Sequence, residues 1–136
     1  MTDRTGRILW VNPAFTQLTG YSLEEATDGT LRILKSGRQS GEFYKDLWNT
    51  ILNGHTWRGQ VVNRRKDGSY YNQQLTITPV RAFGNEITHF VSIGEDITWQ
   101  LETEESLRTA KARAERAQAA AEEASQAKDR FLAALA

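Results

Sequence analysis

No cysteine occurs in the 136 residues. That excludes disulfides, thiolate nucleophiles and thiolate metal sites. There are only two histidines, and neither has a carboxylate partner at ligand spacing, so no metal site is expected. Neither sign of charge is in excess. The 17 basic and 17 acidic side chains cancel, so no global field draws the chain to nucleic acid or anionic lipid. No apolar run approaches the ~20 residues that a bilayer span requires. The N-terminus also lacks the basic, apolar and small-residue blocks of a signal peptide. A glycine-flanked serine elbow is absent, and KSGRQSG has small residues without the strand-to-helix frame of a phosphate cradle. No catalytic residue is assigned, and a cytoplasmic setting is expected.

Glycine is unevenly spread. Up to Thr98 the chain mixes aromatics, glycines and short alternating runs; beyond Trp99 it has neither glycine nor proline and is rich in Ala, Glu, Arg, Lys and Gln, all good helix formers. Two regions are therefore expected, 1–98 and 99–136, with the boundary at Asp96-Ile97-Thr98. Asp and Thr there are suited to accept from the free N–H groups of a new helix. Both ends read as edges of a longer protein.

In the first region GRILWVN reads as a strand behind the turn DRTG. Asn12 followed by Pro13 marks a helix start, and Ser22 with Glu25 has capping-box spacing. In SGEFYKDLWNTILNG, Phe43, Leu47 and Ile51 recur at four-residue steps, Tyr44, Trp48 and Leu52 widen the stripe, and Gly54 ends the helix. TWRGQVVNRR, SYYNQQLTITPV and ITHFVSIGEDI follow as strands, the first two joined through Asp67-Gly68. A three-residue loop, Asp67 to Ser69, would pair Asn63 with Gln73 and put both on the face of Val61, Leu75 and Ile77. The last strand is apolar on both faces, so its outer side is expected to be covered.

From Leu107 the small apolar positions step by three and four: Ala110, Ala114, Ala117, Ala121, Ala124, then Lys128, Phe131 and Leu135. This is a heptad seam broken only by Lys128. Its phase slips close to the first region, as a stutter would cause. The expectation is a weak parallel homodimeric coiled coil; the alternative is a single solvated helix.

The segments TDRTGRILWVNPAFTQLTGYSLEEA, LRILKSGRQSGEFYKDLW, WRGQVVNRRKDGSYYNQQLTITPVR and ITHFVSIGEDIT together resemble a bacterial PAS domain of the sensory-box type. The likeness covers nearly all of residues 3 to 98. It implies an α+β fold: a five-stranded antiparallel sheet with short helices over one face, enclosing a pocket, and here followed by one long C-terminal helix. The family's first strand would lie just before Thr2 and is largely absent. KDRFLAALA is similar to the opening of the dimerisation helix of sensor histidine kinases, short of the phosphorylated histidine. The kinase core of a parent protein is thus the implied partner, and the implied function is transmission of a conformational signal to it through the dimeric helix.

The LOV group, a flavin-based light-sensing branch of the PAS family, offers positions to compare. By resemblance its adduct-forming cysteine falls at Leu31, which cannot form the adduct, while the neighbouring Arg32 matches. One flavin-binding asparagine is matched by Asn63. The second is replaced by Gln73, still an amide, and the last-strand glutamine by Gly94. Haem would need a histidine in the pocket; His55 is expected at a helix end and His89 on the outer face. No cofactor is therefore expected, flavin and haem both being disfavoured. Asn63, Tyr71 and Gln73 either line a polar pocket for a small ligand, with Leu31, Arg32 and Gly94 around it, or satisfy one another in the core. Asp96, Ile97 and Thr98 are, by resemblance, the relay from sheet to helix. A ligand-free dimerisation module and a flavin or haem photo- or redox sensor are the competing readings.

Overall fold

The computed structural model describes residues 1–135. The chain divides into two compact units, Met1–Thr98 and Trp99–Ala136. In the first unit the helices begin where side chains replace missing backbone partners. Asn12 Oδ1 accepts from Phe15 N at 3.0 Å and opens α1 (Pro13–Thr19), which Gly20 closes in the left-handed conformation. The capping box forms at α2 (Leu23–Ala26): Ser22 Oγ accepts from Glu25 N, and Glu25 Oε1 accepts from Ser22 N. Ser22→Ala is therefore expected to cost about 1 kcal/mol, read as a lowered urea midpoint at unchanged slope. A 3-10 turn spans Leu31–Leu34. Helix α3 (Gly41–Leu52) starts after its cap Ser40, buries Leu47 and Ile51, and leaves Trp48 and Leu52 partly exposed.

The sheet is antiparallel with strand order β1-β4-β3-β2, where β1 is Thr2–Asp3, β2 Trp57–Arg64, β3 Tyr70–Arg81 and β4 Ile87–Asp96. GRILWVN does not form the expected strand. It makes only isolated bridges, Ile8 to Thr2 and Arg7 to Thr30. The turn before it is tight: Asp3 Oδ1 accepts from Thr5 N, Thr5 Oγ1 and Arg7 N, leaving the two arms little shared length to pair. The sheet thus has four strands, with the two-residue β1 as one edge.

The hairpin register also differs from expectation. Arg65 N bonds Ser69 O and Gly68 N bonds Arg65 O, so the three-residue loop is Lys66–Gly68, with Gly68 at φ +90. Only glycine adopts that conformation without strain, which fixes the loop one residue earlier. Asn63 accordingly stands opposite Tyr71, and Val61 opposite Gln73. The register moves by two, an even number, so every side chain keeps its expected face.

The inner face packs on α3. Leu47, Ile51, Trp57, Val61, Ile77 and Phe90 form one buried cluster, with Phe43, Leu75 and Ile87 against it. Phe43 meets Trp57 edge-on at 5.3 Å, and Trp57 Nε1 donates to Asp46. On the other face Val91 and Ile93 stay exposed, Ile93 to 68%, so the expected cover is not supplied by the rest of the first unit.

The second unit is helical. Helix α4 runs Thr98–Leu135, about 57 Å long at 1.5 Å per residue, and none of its described residues is buried. Leu107, Phe131 and Leu135 are each roughly two-thirds exposed. No helix among the described residues is long and apolar enough to cross a membrane.

Candidate functional site

Pleating puts Asn63, Tyr71, Gln73 and Gly94 on the inner face, beyond the end of the apolar cluster. Gln73 faces Val61 on one neighbour and Asp96 on the other, while Gly94 faces Leu75. Asn63 and Tyr71 are buried. Asn63 Nδ2 donates to Gln73 Oε1 at 3.0 Å, a diagonal contact across the β2–β3 pair. A Cβ added at Gly94 would run into the Gln73 amide. The glycine is thus what lets the longer glutamine lie across β4.

Tyr71 is fully buried, yet its hydroxyl has no hydrogen-bond partner among the described residues. Such a group costs about 1–3 kcal/mol unless something completes it. Burial pushes the phenol above its ordinary pKa, with the Asn63 amide, near it but outside hydrogen-bonding geometry, and the Arg65 charge pulling the other way. Leu75, Gln73 and Ser92 on the same face are only half-buried. Leu31 and Arg32 lie apart, on the 3-10 turn, Leu31 half-buried and Arg32 exposed. The turn is tethered to the site by a bridge from Lys35 to Asn63 and by the buried Leu34. Neither histidine joins the site: His55 is exposed, and His89 sits on the face opposite Phe90 with Nδ1 at 2.8 Å from Thr88 Oγ1.

At the end of β4, Asp96 Oδ1 accepts from Thr98 N at 2.9 Å, as expected of a carboxylate at a helix start. Thr98 does something else. Its hydroxyl accepts from Asn72 N at 2.8 Å, while the buried Ile97 donates its N–H to Asn72 O, so both residues clip the junction to β3. Burial raises the Asp96 pKa, but bonds from Thr98 and the Arg65 charge together outweigh it and hold the carboxyl below the usual range. A depressed folded pKa means stability that is present above the unfolded value and lost as pH falls through the folded one. Below about pH 4, the urea midpoint is expected to drop more steeply for the unchanged chain than for Asp96→Asn. Parallel curves would show that Asp96 contributes nothing.

Sequence reasoning missed Arg65. NRRKDG reads as a solvated basic tip, but Arg65 is only half-exposed and pairs with Asp96 at 3.3 Å. Nothing in the local pattern separates it from Arg64 and Lys66.

Residues 1–97 match the family model of the PAS fold. The chain belongs to the PAS family. Over 108 residues this PAS domain is 37% identical to the nitrogen fixation regulatory protein of Klebsiella oxytoca, spanning 79% of this chain and 22% of that one. It is 34% identical over 104 residues to the blue-light photoreceptor of Listeria monocytogenes, spanning 74% of this chain and 41% of that one. The LOV domain of the blue-light activated histidine kinase of Erythrobacter litoralis superposes with a TM-score of 0.63 at 26% identity, covering 68% of this chain and 84% of that domain. The chain spans less than half the length of either curated relative.

This kinship corrects the expectation that the PAS pocket takes no cofactor. The chain stands beside the flavin-sensing branch that the residue comparison set aside. The physical source of the error is Gly94. Taken alone it offers no hydrogen bond, but Gln73 lies across it and brings an amide to that place. The residue types present fit the polar edge of a flavin ring: an amide pair and an uncompleted phenol on one face of the sheet.

Proposed function

We propose that this chain is a sensory PAS module that holds a flavin and reports its redox state. The observation that carries the reading is the buried Tyr71 hydroxyl, unpartnered beside the Asn63–Gln73 amide pair. A bound flavin would supply a redox-active ring whose protonation follows its electron count. The chain's own residues hold and orient it. Asn63 and Gln73 offer donors and acceptors to a heterocycle edge, Tyr71 adds a third polar contact, and Leu75 and Ser92 floor the space. Arg32, on its turn, suits an anionic tail. With leucine at position 31 and no cysteine anywhere, light cannot be stored as a thiol bond, which favours redox sensing over adduct photochemistry.

Output passes, in this reading, through Asp96, Ile97 and Thr98 into α4. That helix pairs with a second copy along Leu107, Ala110, Ala114, Ala117, Ala121, Ala124, Phe131 and Leu135. The heptad spacing and the exposure of the whole helix support the pairing. A kinase-type output in a cytoplasmic parent is supported by the wording of KDRFLAALA and by the kinase whose LOV domain the chain resembles.

Titration of flavin mononucleotide into the chain tests the ligand. Saturable quenching of flavin fluorescence at one per chain is expected; emission unchanged from free flavin would refute it. Sedimentation of the unchanged chain and of Ala117→Glu tests the pairing, with a dimer expected to become a monomer in the variant.

A further inference from the structure

Between the end of α3 and the β3–β4 hairpin lies a cleft of about 380 Å³, lined by Arg4, Leu52, Asn53, Arg81, Glu86 and Ile87 among others. It shares no residue with the amide site. Arg81 and Gln73 stand roughly 26 Å apart along β3 at about 3.3 Å per residue.

Two arginines border the cleft, and neither is fully engaged. Arg81 Nη1 donates to the carbonyl and to Oδ1 of Asn85, each at 3.0 Å, and Nη2 donates to the Gly54 carbonyl at 3.4 Å. All three acceptors are neutral, and no carboxylate among the described residues pairs with Arg81. The backbone makes room for this guanidinium: a Cβ at Gly54 would fall 1.8 Å from Nη2. Arg4 has one ionic partner, Glu86 at 3.4 Å, and both side chains are well exposed. Such a pair contributes little in water. The floor is apolar. Leu52, expected to widen the buried stripe of α3, is 47% exposed here, and Ile87 is half-buried. Two guanidiniums against one carboxylate leave the cleft with one positive charge.

We propose that this cleft is a second ligand site, for a small organic acid that carries one carboxylate on an apolar body. A planar carboxylate matches the fork of a guanidinium. One negative charge balances the cleft without displacing Glu86 from Arg4. The apolar body lies over Leu52 and Ile87 and takes their surface out of water. An inorganic anion would satisfy Arg81 but leave that floor wet. A neutral apolar molecule would cover the floor but leave Arg81 without a counter-charge. The cleft therefore selects for both parts in one molecule, and its volume suits a single ring on a short chain. The assignment is independent of the flavin reading, which concerns the opposite end of β3.

The test is a titration of 3-phenylpropanoate into the full chain, followed by backbone amide shifts. Saturable shifts at Asn53, Asn85 and Ile87 are expected, with a Kd of about 1 mM or lower. The uncharged 3-phenylpropanamide and inorganic phosphate are each expected to bind about ten-fold more weakly. Arg81→Gln is expected to weaken the acid about ten-fold or more, and Leu52→Ala about three-fold or more. Arg4→Gln keeps the test decisive if Arg81→Gln disturbs the hairpin. Its only ionic contact is the exposed pair with Glu86, so its urea midpoint is expected to stay unchanged while the acid binds about five-fold more weakly. No saturable shift, shifts at Asn63, Tyr71 and Gln73 instead, or equal binding of the amide would each overturn the proposal. Phosphate binding as tightly as the acid would also overturn it, since the apolar floor would then play no part.

Discussion

Loaded with flavin mononucleotide, Leu31→Cys is expected to bleach under blue light and recover in the dark, whereas the unchanged chain does neither. The change is all-or-none because a thiol is the reagent that the chain lacks. Leu31 opens the 3-10 turn Leu31–Leu34, whose start is set by Thr30 and whose end is held by the buried Leu34. The Lys35–Asn63 bridge keeps that end beside β2, next to the amide that would meet the ring. A half-buried cysteine can replace the half-buried leucine without rebuilding the turn. Absorbance recorded during and after illumination checks the outcome. Flavin that binds the variant but shows no reversible bleaching would mean that position 31 does not face it.

Asn63→Ala is expected to weaken flavin binding by about 10–100-fold and to destabilise the ligand-free chain by about 1–3 kcal/mol. Both losses come from one amide. Asn63 is only 8% exposed, and its Nδ2 is the donor to Gln73 Oε1. Alanine leaves that oxygen without this donor, which costs more than the bond itself contributes. It also removes a polar contact that the ligand would use. Fluorescence titration and urea unfolding on the same preparation separate the two effects. An unchanged affinity would remove Asn63 from the site even if stability fell.

Much of the fold was legible because it is written in local chemistry. The caps at Asn12 and Ser22 and the stripe through Leu47 and Ile51 depend on neighbours within a few residues, and each appears where spacing placed it. Side-chain facing was legible too, since alternation survives any even error in register. The register itself was not, because it turns on which residue takes the left-handed position, and Gly68 rather than Ser69 closes the loop. GRILWVN has strand composition, but a strand also needs a partner of matching length, which the two-residue β1 does not provide.

What was legible around Asn63 was which residues share a face of the sheet. Asn63, Tyr71 and Gln73 converge as their alternation requires, but the reach of Gln73 over Gly94 depends on two strands at once. Arg65 was illegible for the same reason. Its partners Leu18 and Asp96 are distant in the chain, and no local pattern marks one arginine among three basic residues.

The most direct measurement is the visible absorption spectrum of the natively purified chain, taken before and after incubation with flavin mononucleotide and then under chemical reduction. The structured bands of a protein-bound oxidised flavin are predicted, lost on reduction, restored by air and unaltered by any thiol bond under blue light. A chain that shows no such bands, and acquires none from excess flavin, would contradict the central claim.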